Sequence, residues 1–525
     1  MIIERTRNTL RNSFWGFVNK VIMLFFPFII RTIIIKTLGA EYAGLHSLFI
    51  SIISVLSLAE LGFGSAIIYS MYKPIADNNN KAICALMNLY RKVYHYMGIA
   101  VLGISVILLP FLTFFITGTV PTDVNIYALY FIYILNSVVS YWLFAYKNCL
   151  LTAFQRNDIA TNISTVLNLL LYITQIILLL TTKNYYCYVI CIPVFSIAIN
   201  IVTALYVNKK YPQFKCKGNV DENEKKEIKK QVIGLLAQRL ALSSRNSFDS
   251  IIISAYLGLT FVGIYNNYFY ILNAVTAFLA LIFTSMQAGI GNSIAKESVE
   301  KNFNDIKKIR FLYMWISGWC TVCIFTLTQP FMKIWVGSKL MFSDLIVAIL
   351  AFYFYAMKMT DTGGAYISAT GNWWRCKYTY LFEAIVNLVL NLVFGYFFGI
   401  VGVIAATIIS VLFVNYICNV WILFKYYFVD KSLKNYVLEE MKYMLVTFGV
   451  SLITYFLTKW ISLGASTIAI TAELGIKFLI CCSVSNLLFI FFYRRDKQYN
   501  IAIRWLNEKV FNGKLNKLLF TRGML

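Results

Sequence analysis

The chain of 525 residues is 59% hydrophobic and only 13% charged. Soluble domains carry about 25% charged residues, so this composition excludes a soluble protein and predicts a polytopic membrane protein. The formal net charge of +24 does not indicate nucleic-acid binding, because no soluble segment is long enough for it. Basic residues gather on the cytoplasmic side of membrane proteins, which explains the charge without a nucleic-acid partner.

Cysteine and histidine do not form the patterns of a metal or redox site. The eleven cysteines are scattered, and the C-x-x-C of Cys320 and Cys323 lies in an apolar span without a second pair. The two histidines, His46 and His95, are too few for a histidine-based metal site. We therefore expect no resident metal and no cofactor.

Apolar segments divide the chain, and each is close to the length of about 20 residues that a membrane-spanning helix needs. The first six predicted helices form an N-lobe over residues 1–207 and cover about 13–37, 44–70, 93–117, 124–147, 159–181 and 185–207. A polar, mostly basic segment follows at 208–230. We predict that it is a cytoplasmic linker that becomes helical at its end.

Six more predicted helices form a C-lobe over residues 231–428. They cover about 231–256, 260–288, 309–329, 343–368, 377–398 and 400–428. Two extra spans, about 441–461 and 471–493, lie in the region 429–493. The tail 494–525 alternates apolar and basic residues at helical spacing, which predicts an amphipathic helix on the inner membrane face. The predicted fold class is an all-α polytopic membrane protein with fourteen transmembrane helices.

The distribution of basic residues predicts the topology. With the N-terminus inside and fourteen alternating spans, most of the 47 Lys and Arg residues fall on the inner side. Such asymmetry is the established marker of the cytoplasmic face, so both termini are predicted to be cytoplasmic.

The two lobes resemble each other at one constant offset along the chain. This offset places Leu38–Leu45 on Leu257–Ile264, Lys20 on Arg239 and Arg91 on Arg310. Each repeat has an even number of helices, so both enter the membrane from the same side. They are therefore predicted to be parallel repeats related by an axis along the membrane normal, with a cleft between the two lobes.

Charged residues inside predicted spans mark this cleft. The segment 231–256 contains Arg239, Arg245 and Asp249, and its counterpart 13–37 contains Lys20 and Arg31. A charge at mid-membrane costs at least ~2.5–3.5 kcal/mol, so such residues usually face a bundle interior or a water-filled cavity. Arg245 and Asp249 are four residues apart and can pair on one helix face.

Four further charges lie in predicted spans. Lys358 and Asp361 are three apart and can pair, whereas Glu60 and Glu383 have no obvious local partner. The cleft is then mildly cationic, and arginine suits a phosphate because its planar fork donates two hydrogen bonds.

Less specific interpretations of these charges stay open. Lys20, Arg31 and Arg239 could extend to the membrane surface without a function. The pair Arg245–Asp249 could be structural, and Glu60 could stabilise a helix bend beside two glycines.

The stretch Leu38–Leu45, with Ser57–Ala66 and Tyr72–Ala76 after it, resembles the N-terminal region of Wzx-type polysaccharide repeat-unit flippases. These belong to the multidrug/oligosaccharidyl-lipid/polysaccharide (MOP) exporter superfamily, and the duplicated layout is similar to that superfamily over essentially the whole chain. The resemblance implies a MATE/MurJ-like fold in a bacterial cytoplasmic membrane. It also implies transfer of an undecaprenyl-diphosphate-linked oligosaccharide between leaflets by alternating access of two lobes.

The resemblance further implies candidate site residues and partners. Carried over by position, the cations of the two leading helices that would engage the diphosphate and sugar acids are Lys20, Arg31, Arg239 and Arg245. Ion gradients are thought to drive such proteins. Because histidine is scarce, the candidates for ion coupling, by Na+ or H+, or for pairing within the cleft are Glu60, Asp249, Lys358, Asp361 and Glu383. Membrane lipid and polysaccharide-assembly proteins are the expected partners.

Three alternatives remain. A drug antiporter of the same superfamily would favour carboxylates over cations in its cleft. A membrane polymerase or ligase would need a large external loop and a catalytic constellation, which the sequence does not suggest. A peptidoglycan-precursor flippase differs only in cargo, and the sequence separates it poorly from the leading interpretation.

Overall fold

The computed structural model describes residues 5–57, 63–118, 120–464 and 466–509, and these residues form helices without any strand. In chain order the helices are α1 (Arg5–Thr37), α2 (Ala40–Leu56), α3 (Phe63–Ala76), α4 (Asn80–Leu108), α5 (Ile126–Trp142), α6 (Asn148–Ala153), α7 (Asn157–Thr182), α8 (Tyr185–Lys210), α9 (Glu222–Leu257), α10 (Leu259–Lys296), α11 (Val299–Trp335), α12 (Asp344–Ala369), α13 (Lys377–Ile409), α14 (Ile417–Tyr426), α15 (Leu433–Lys459), α16 (Thr467–Tyr493) and α17 (Lys497–Lys509). The predicted all-α class is confirmed.

Among the described residues, nine helices are long and apolar enough to cross a membrane, or ten if the bent pair around α5 and α6 counts as one span. These helices make the chain a multi-pass membrane protein. The number of fourteen spans stays a prediction.

One of the nine long segments, Lys377–Tyr426, contains two helices of the predicted layout. Gly399 has φ +58° within α13, a conformation that other residues rarely adopt, and it lies between the predicted helices 377–398 and 400–428. Asn387 on one arm donates a hydrogen bond to Thr407 Oγ1 on the other at 2.9 Å. The two arms therefore fold back on each other, as the prediction of two helices requires.

The second predicted helix differs from the structure. The prediction placed one helix over 44–70, whereas α2 ends at Leu56 and α3 begins at Phe63. Gly62 and Gly64 follow the end of α2 in the sequence, and glycine disfavours helix because its backbone loses the most freedom on folding. Further along, α9 begins at Glu222, so the predicted helical end of the linker joins the helix 231–256.

The first compact unit comprises residues 1–266. Its largest helix contacts join α1 to α7, α7 and α5 to α8, and α2 to α9. An aromatic cluster fills its core, where Phe49 and Tyr133 stack with ring centroids 5.3 Å apart. The unit thus includes α9, which the predicted boundary at 208–230 assigns to the second repeat. The lobe boundaries stay a prediction.

The second compact unit comprises residues 267–525, and α11 is its central helix. α11 packs against α12, α15, α16 and α17. Aromatic rings line these contacts, and Trp315 of α11 stacks on Tyr499 of α17 with centroids 5.7 Å apart. The tail helix α17 therefore packs on α11 through the ring of Tyr499.

Candidate functional site

The predicted site residues divide between the two units. Lys20, Arg31, Arg245 and Asp249 lie in the first, and Lys358, Asp361 and Glu383 lie in the second. Two further candidates, Glu60 and the side chain of Arg239, lie outside the described residues.

On α1 the two predicted cations have different environments. Lys20 is exposed, whereas only 3% of Arg31 is exposed. Arg31 donates one hydrogen bond to the carbonyl oxygen of Gly263 at 2.8 Å and another to Ser47 Oγ at 3.2 Å. Arg31 therefore links α1 to both α2 and α10, an arrangement that the sequence does not suggest.

The charged residues near the end of α9 are fully enclosed. Arg245 is 3% exposed and Asp249, one helical turn later, is 0% exposed. The hydroxyl of Tyr265 donates to Asp249 Oδ2 at 2.8 Å. The predicted pairing of Arg245 with Asp249 stays a prediction.

The predicted pair between Lys358 and Asp361 forms. Lys358 Nζ lies 2.9 Å from Asp361 Oδ2, and the hydroxyl of Tyr313 on α11 donates to the same oxygen at 2.6 Å. The i,i+3 spacing on α12 places both groups on one face. Asp361 therefore bridges α12 and α11, and its predicted part in cleft pairing or ion coupling stays a prediction.

Glu383 is completely buried in a polar network of α13 and the segments after it. Asn415 Nδ2 donates to Glu383 Oε2 at 2.6 Å. One turn from Glu383, Asn387 donates to Thr407 and Ser410. Asn415 lies in a π-helical segment, Ser410–Tyr416, and such segments are frequent at functional sites. Amide nitrogens are thus the donors in this network, and they donate to the carboxylate of Glu383 and to the two hydroxyl oxygens.

Two buried ion pairs were not predicted. Arg310 of α11 is 1% exposed and pairs with Glu439 and, at 3.4 Å between Nε and Oε2, with Glu440 of α15. Lys477 and Glu473 pair at 2.7 Å on α16. The i,i+4 spacing of Glu473 and Lys477 in an apolar helix is a signal that was available in the sequence. The sequence contains no such signal for Arg310, because its partners lie on another helix that is distant in the chain.

Comparisons of the fold identify its class. The chain is similar to a solved structure of the lipid II flippase MurJ in an inward closed conformation, with a TM-score of 0.64 and 16% identity over 93% of this chain and 99% of that one. It is also similar to an inward-facing MATE family multidrug resistance transporter of the MOP superfamily, with a TM-score of 0.60 and 13% identity over 76% of this chain and 93% of that one. A MOP superfamily transporter from Pyrococcus furiosus is also similar, with a TM-score of 0.52 and 14% identity over 81% of this chain and 96% of that one. These similarities confirm the predicted MATE/MurJ-like fold.

Comparisons of the sequence identify the family. No curated protein matches the chain. The model of one family, described as "Polysaccharide biosynthesis protein", matches residues 9–286, which is more than half of the 525 residues. The chain therefore belongs to the polysaccharide biosynthesis protein family.

Proposed function

We propose that the protein is a flippase that moves undecaprenyl-diphosphate-linked oligosaccharide repeat units across a bacterial cytoplasmic membrane for surface polysaccharide synthesis. The observation that carries this proposal is a polysaccharide biosynthesis family match on a fold similar to that of a lipid II flippase. Both termini would be cytoplasmic, and polysaccharide-assembly proteins would be partners. The role is transport and not catalysis.

The transfer of a lipid-linked sugar requires a particular kind of site, and a cleft between the predicted lobes 1–207 and 231–428 would provide it. A flippase must shield a polar headgroup while the lipid tail stays in hydrocarbon, and a cleft that opens sideways allows both. Arg31 and Arg245, both buried in the leading helices of the repeats, with Lys20 and Arg239, would supply cations for the diphosphate. A guanidinium suits this group because its rigid fork matches two phosphate oxygens at once.

An ion gradient would drive the cycle. Glu383 is the strongest candidate for ion coupling because it is a fully buried carboxylate that accepts a hydrogen bond from the carboxamide of Asn415. Either Na+ binding or protonation would neutralise it. We expect Glu383→Gln to remove the dependence of transport on one imposed gradient, of sodium or of protons, while the variant still binds cargo. Asn200→Ser, at a half-buried site on α8, is the control.

Vesicle transport tests the proposal directly. Purified protein in vesicles should move a fluorescent undecaprenyl-diphosphate-linked oligosaccharide between leaflets, and cells without the protein should accumulate the lipid-linked units inside. Arg239→Ala and Arg245→Ala should slow transfer, whereas Arg375→Ala, which removes an exposed arginine stacked 3.8 Å from the Tyr426 ring, should not. Normal export in cells without the protein would refute the proposal.

A second cargo is favoured by the fold comparison. The solved structure with a TM-score of 0.64 is named a lipid II flippase, so a peptidoglycan lipid precursor is the main rival substrate. The same vesicles loaded with lipid II distinguish the two: preferential transfer of lipid II would assign the protein to peptidoglycan synthesis. Transfer of organic cations instead of either lipid would indicate a drug antiporter.

A further inference from the structure

A cavity lies in the first compact unit where α1, α7 and α8 meet. Trp15 precedes the apolar span Val18–Thr37 of α1. Asn162 lies in the second turn of α7, and Tyr206 lies near the end of α8. The volume of the cavity, about 460 Å³, falls within the ~300–1,000 Å³ of small-molecule sites. The cavity is therefore large enough for a small ligand.

The walls of the cavity combine aromatic rings with hydrogen-bonding groups of both kinds. Trp15 and Tyr206 are half-buried and supply two rings. Asn162 supplies a carboxamide, which donates and accepts, and the remaining polar walls are the guanidinium of Arg156 and the carboxylate of Asp158. A hydroxyl group also donates and accepts. This mixture of donors, acceptors and rings suits a ligand that is rich in hydroxyl groups.

The two charged groups of the cavity neutralise each other. Arg156 Nε donates to Asp158 Oδ1 at 3.0 Å, and Nη2 donates to Oδ2 at 3.3 Å. The side chain of Arg156 is 26% exposed and that of Asp158 is 9% exposed. A pair with two parallel bonds fixes the orientation of both groups. A phosphate would need a cation whose charge is not already balanced, so the cavity fits a neutral ligand better than an anionic one.

Bonds within the protein hold these walls in place. The turn before α7 has Gln155 at φ +58°, and the N–H of Arg156 donates to the carbonyl oxygen of Leu151 at 2.7 Å. One turn deeper along α1 and α7, Asn19 Nδ2 donates to Thr165 Oγ1 at 2.8 Å. The cavity is therefore formed before a ligand arrives, which lowers the cost of ordering side chains on binding.

The corresponding place in the second repeat carries different groups. The constant offset between the repeats places Arg156 on Arg375 and Asp158 on Lys377. Arg375 stacks on the ring of Tyr426 at 3.8 Å. The start of α13 thus folds with a lysine where α7 has its carboxylate. The Arg156–Asp158 pair is therefore particular to the first repeat and is not a requirement of the repeated fold.

We propose that this cavity, which we call the sugar cavity (Trp15, Arg156, Asp158, Asn162 and Tyr206), binds a neutral sugar of the cargo before transfer. The proposal rests on the flippase function proposed above, and it adds a place where the oligosaccharide itself is recognised. In the predicted topology this end of α1, α7 and α8 faces the cytoplasm, from which the cargo has to enter. The faces of the two aromatic rings attract the C–H groups of a sugar ring, while the polar walls bond its hydroxyls.

Binding of a lipid-free sugar tests the sugar cavity. The probe is an oligosaccharide released by partial acid hydrolysis of the surface polysaccharide of the producing cells, titrated into the purified full chain by calorimetry. It has no diphosphate, so its binding is separate from the cations assigned to that group. Asn162→Ala should weaken binding about 2- to 13-fold, the factor for one typical hydrogen bond. Tyr206→Leu, which removes a ring, should also weaken binding.

The matched control is Asn208→Ala, at the same end of α8. The carboxamide of Asn208 is exposed and accepts a hydrogen bond from Lys147 Nζ at 2.6 Å, and it does not line the cavity. This variant should bind the oligosaccharide as the wild-type protein does.

Vesicle transport gives a second readout. In Asn162→Ala the cargo concentration that half-saturates transfer should rise by the same factor as the dissociation constant, while the maximal rate stays at the wild-type level. This pattern marks the loss of a binding contact that does not change during transfer. A merely structural role of Asn162 would instead lower the maximal rate at an unchanged half-saturating concentration, because less protein would be folded.

Failure of the sugar cavity and failure of the flippase proposal give different results. Absence of binding by the wild-type protein, or equal binding by wild type, Asn162→Ala and Tyr206→Leu, would overturn the sugar cavity, and normal wild-type transport would leave the flippase proposal intact. Binding that the variants weaken, without any transport by the wild-type protein, would overturn the flippase proposal alone. Displacement of the sugar by glycerol phosphate would assign the cavity to an anionic lipid headgroup and overturn the sugar cavity. If Asn162→Ala does not fold, Tyr206→Leu carries the same test.

Discussion

Two buried regions of the molecule, around Arg31 in the first compact unit and around Arg310 in the second, differ in the groups that accept hydrogen bonds from the arginine. In the second unit, Arg310, Lys358 and Lys477 each pair with a carboxylate. In the first, Arg31 donates to the hydroxyl of Ser47 and the carbonyl oxygen of Gly263. Removing one member of a buried ion pair leaves an uncompensated charge, whereas a bond to a neutral acceptor can be exchanged for water. Arg310 thus joins α11 to α15 through charged groups, whereas these two bonds of Arg31 join α1 to α2 and α10 through neutral acceptors.

The Arg310 pair should show the largest effect. Arg310→Ala leaves Glu440, which is 1% exposed, buried without its cation. We expect the free energy of unfolding in detergent to fall by about 3–5 kcal/mol. Lys431→Ala is the control, because it breaks an ion pair with Glu300, whose side chain is 64% exposed. Exposed pairs contribute about 0–1 kcal/mol. Equal losses in the two variants would contradict the larger contribution expected of the buried pair.

The backbone contact between Gly44 and Leu259, close to Arg31, should show an intermediate effect. Gly44→Ala places a methyl group 2.1 Å from the carbonyl oxygen of Leu259, so α2 and the start of α10 have to shift apart. Overpacking of this kind costs about 1–3 kcal/mol. Gly103→Ala is the control, because nothing lies within 4 Å of its added Cβ, and it should be neutral or stabilising. Thermal unfolding of both variants checks this, and a neutral Gly44→Ala would show that α2 and α10 are not closely packed at this point.

The Thr260 bond should show the smallest effect. Thr260→Val removes the donor to Glu41 Oε1 but keeps the shape of the side chain. We expect a loss of about 0.5–1.5 kcal/mol, the net contribution of a typical hydrogen bond. Thr181→Val, whose exposed hydroxyl donates to the carbonyl oxygen of Ile177 in its own helix, should change stability less. A loss at Thr260 no larger than that at Thr181 would contradict a stabilising bond between Thr260 and Glu41.

Local features of the sequence predicted local features of the structure. The division into two helices over 377–398 and 400–428 and the i,i+3 pair of Lys358 with Asp361 were predicted, and both are present. The prediction of a single helix over 44–70 was wrong. The sequence stays apolar past Leu56, so its hydropathy did not indicate that α2 ends there. The substrate roles of Lys20, Arg31, Arg239 and Arg245 stay predictions.

The sequence by itself determined the membrane class, most helices and the repeat offset, because membrane partition and helix formation depend on residues close together in the chain. Only the tertiary structure decided that Gly44 meets Leu259 and that Arg310 meets Glu440. It likewise brought Asn415 to Glu383 through a bent hairpin. All of these contacts join residues that are far apart in the chain. Packing between helices sets them, and no local pattern encodes which faces meet.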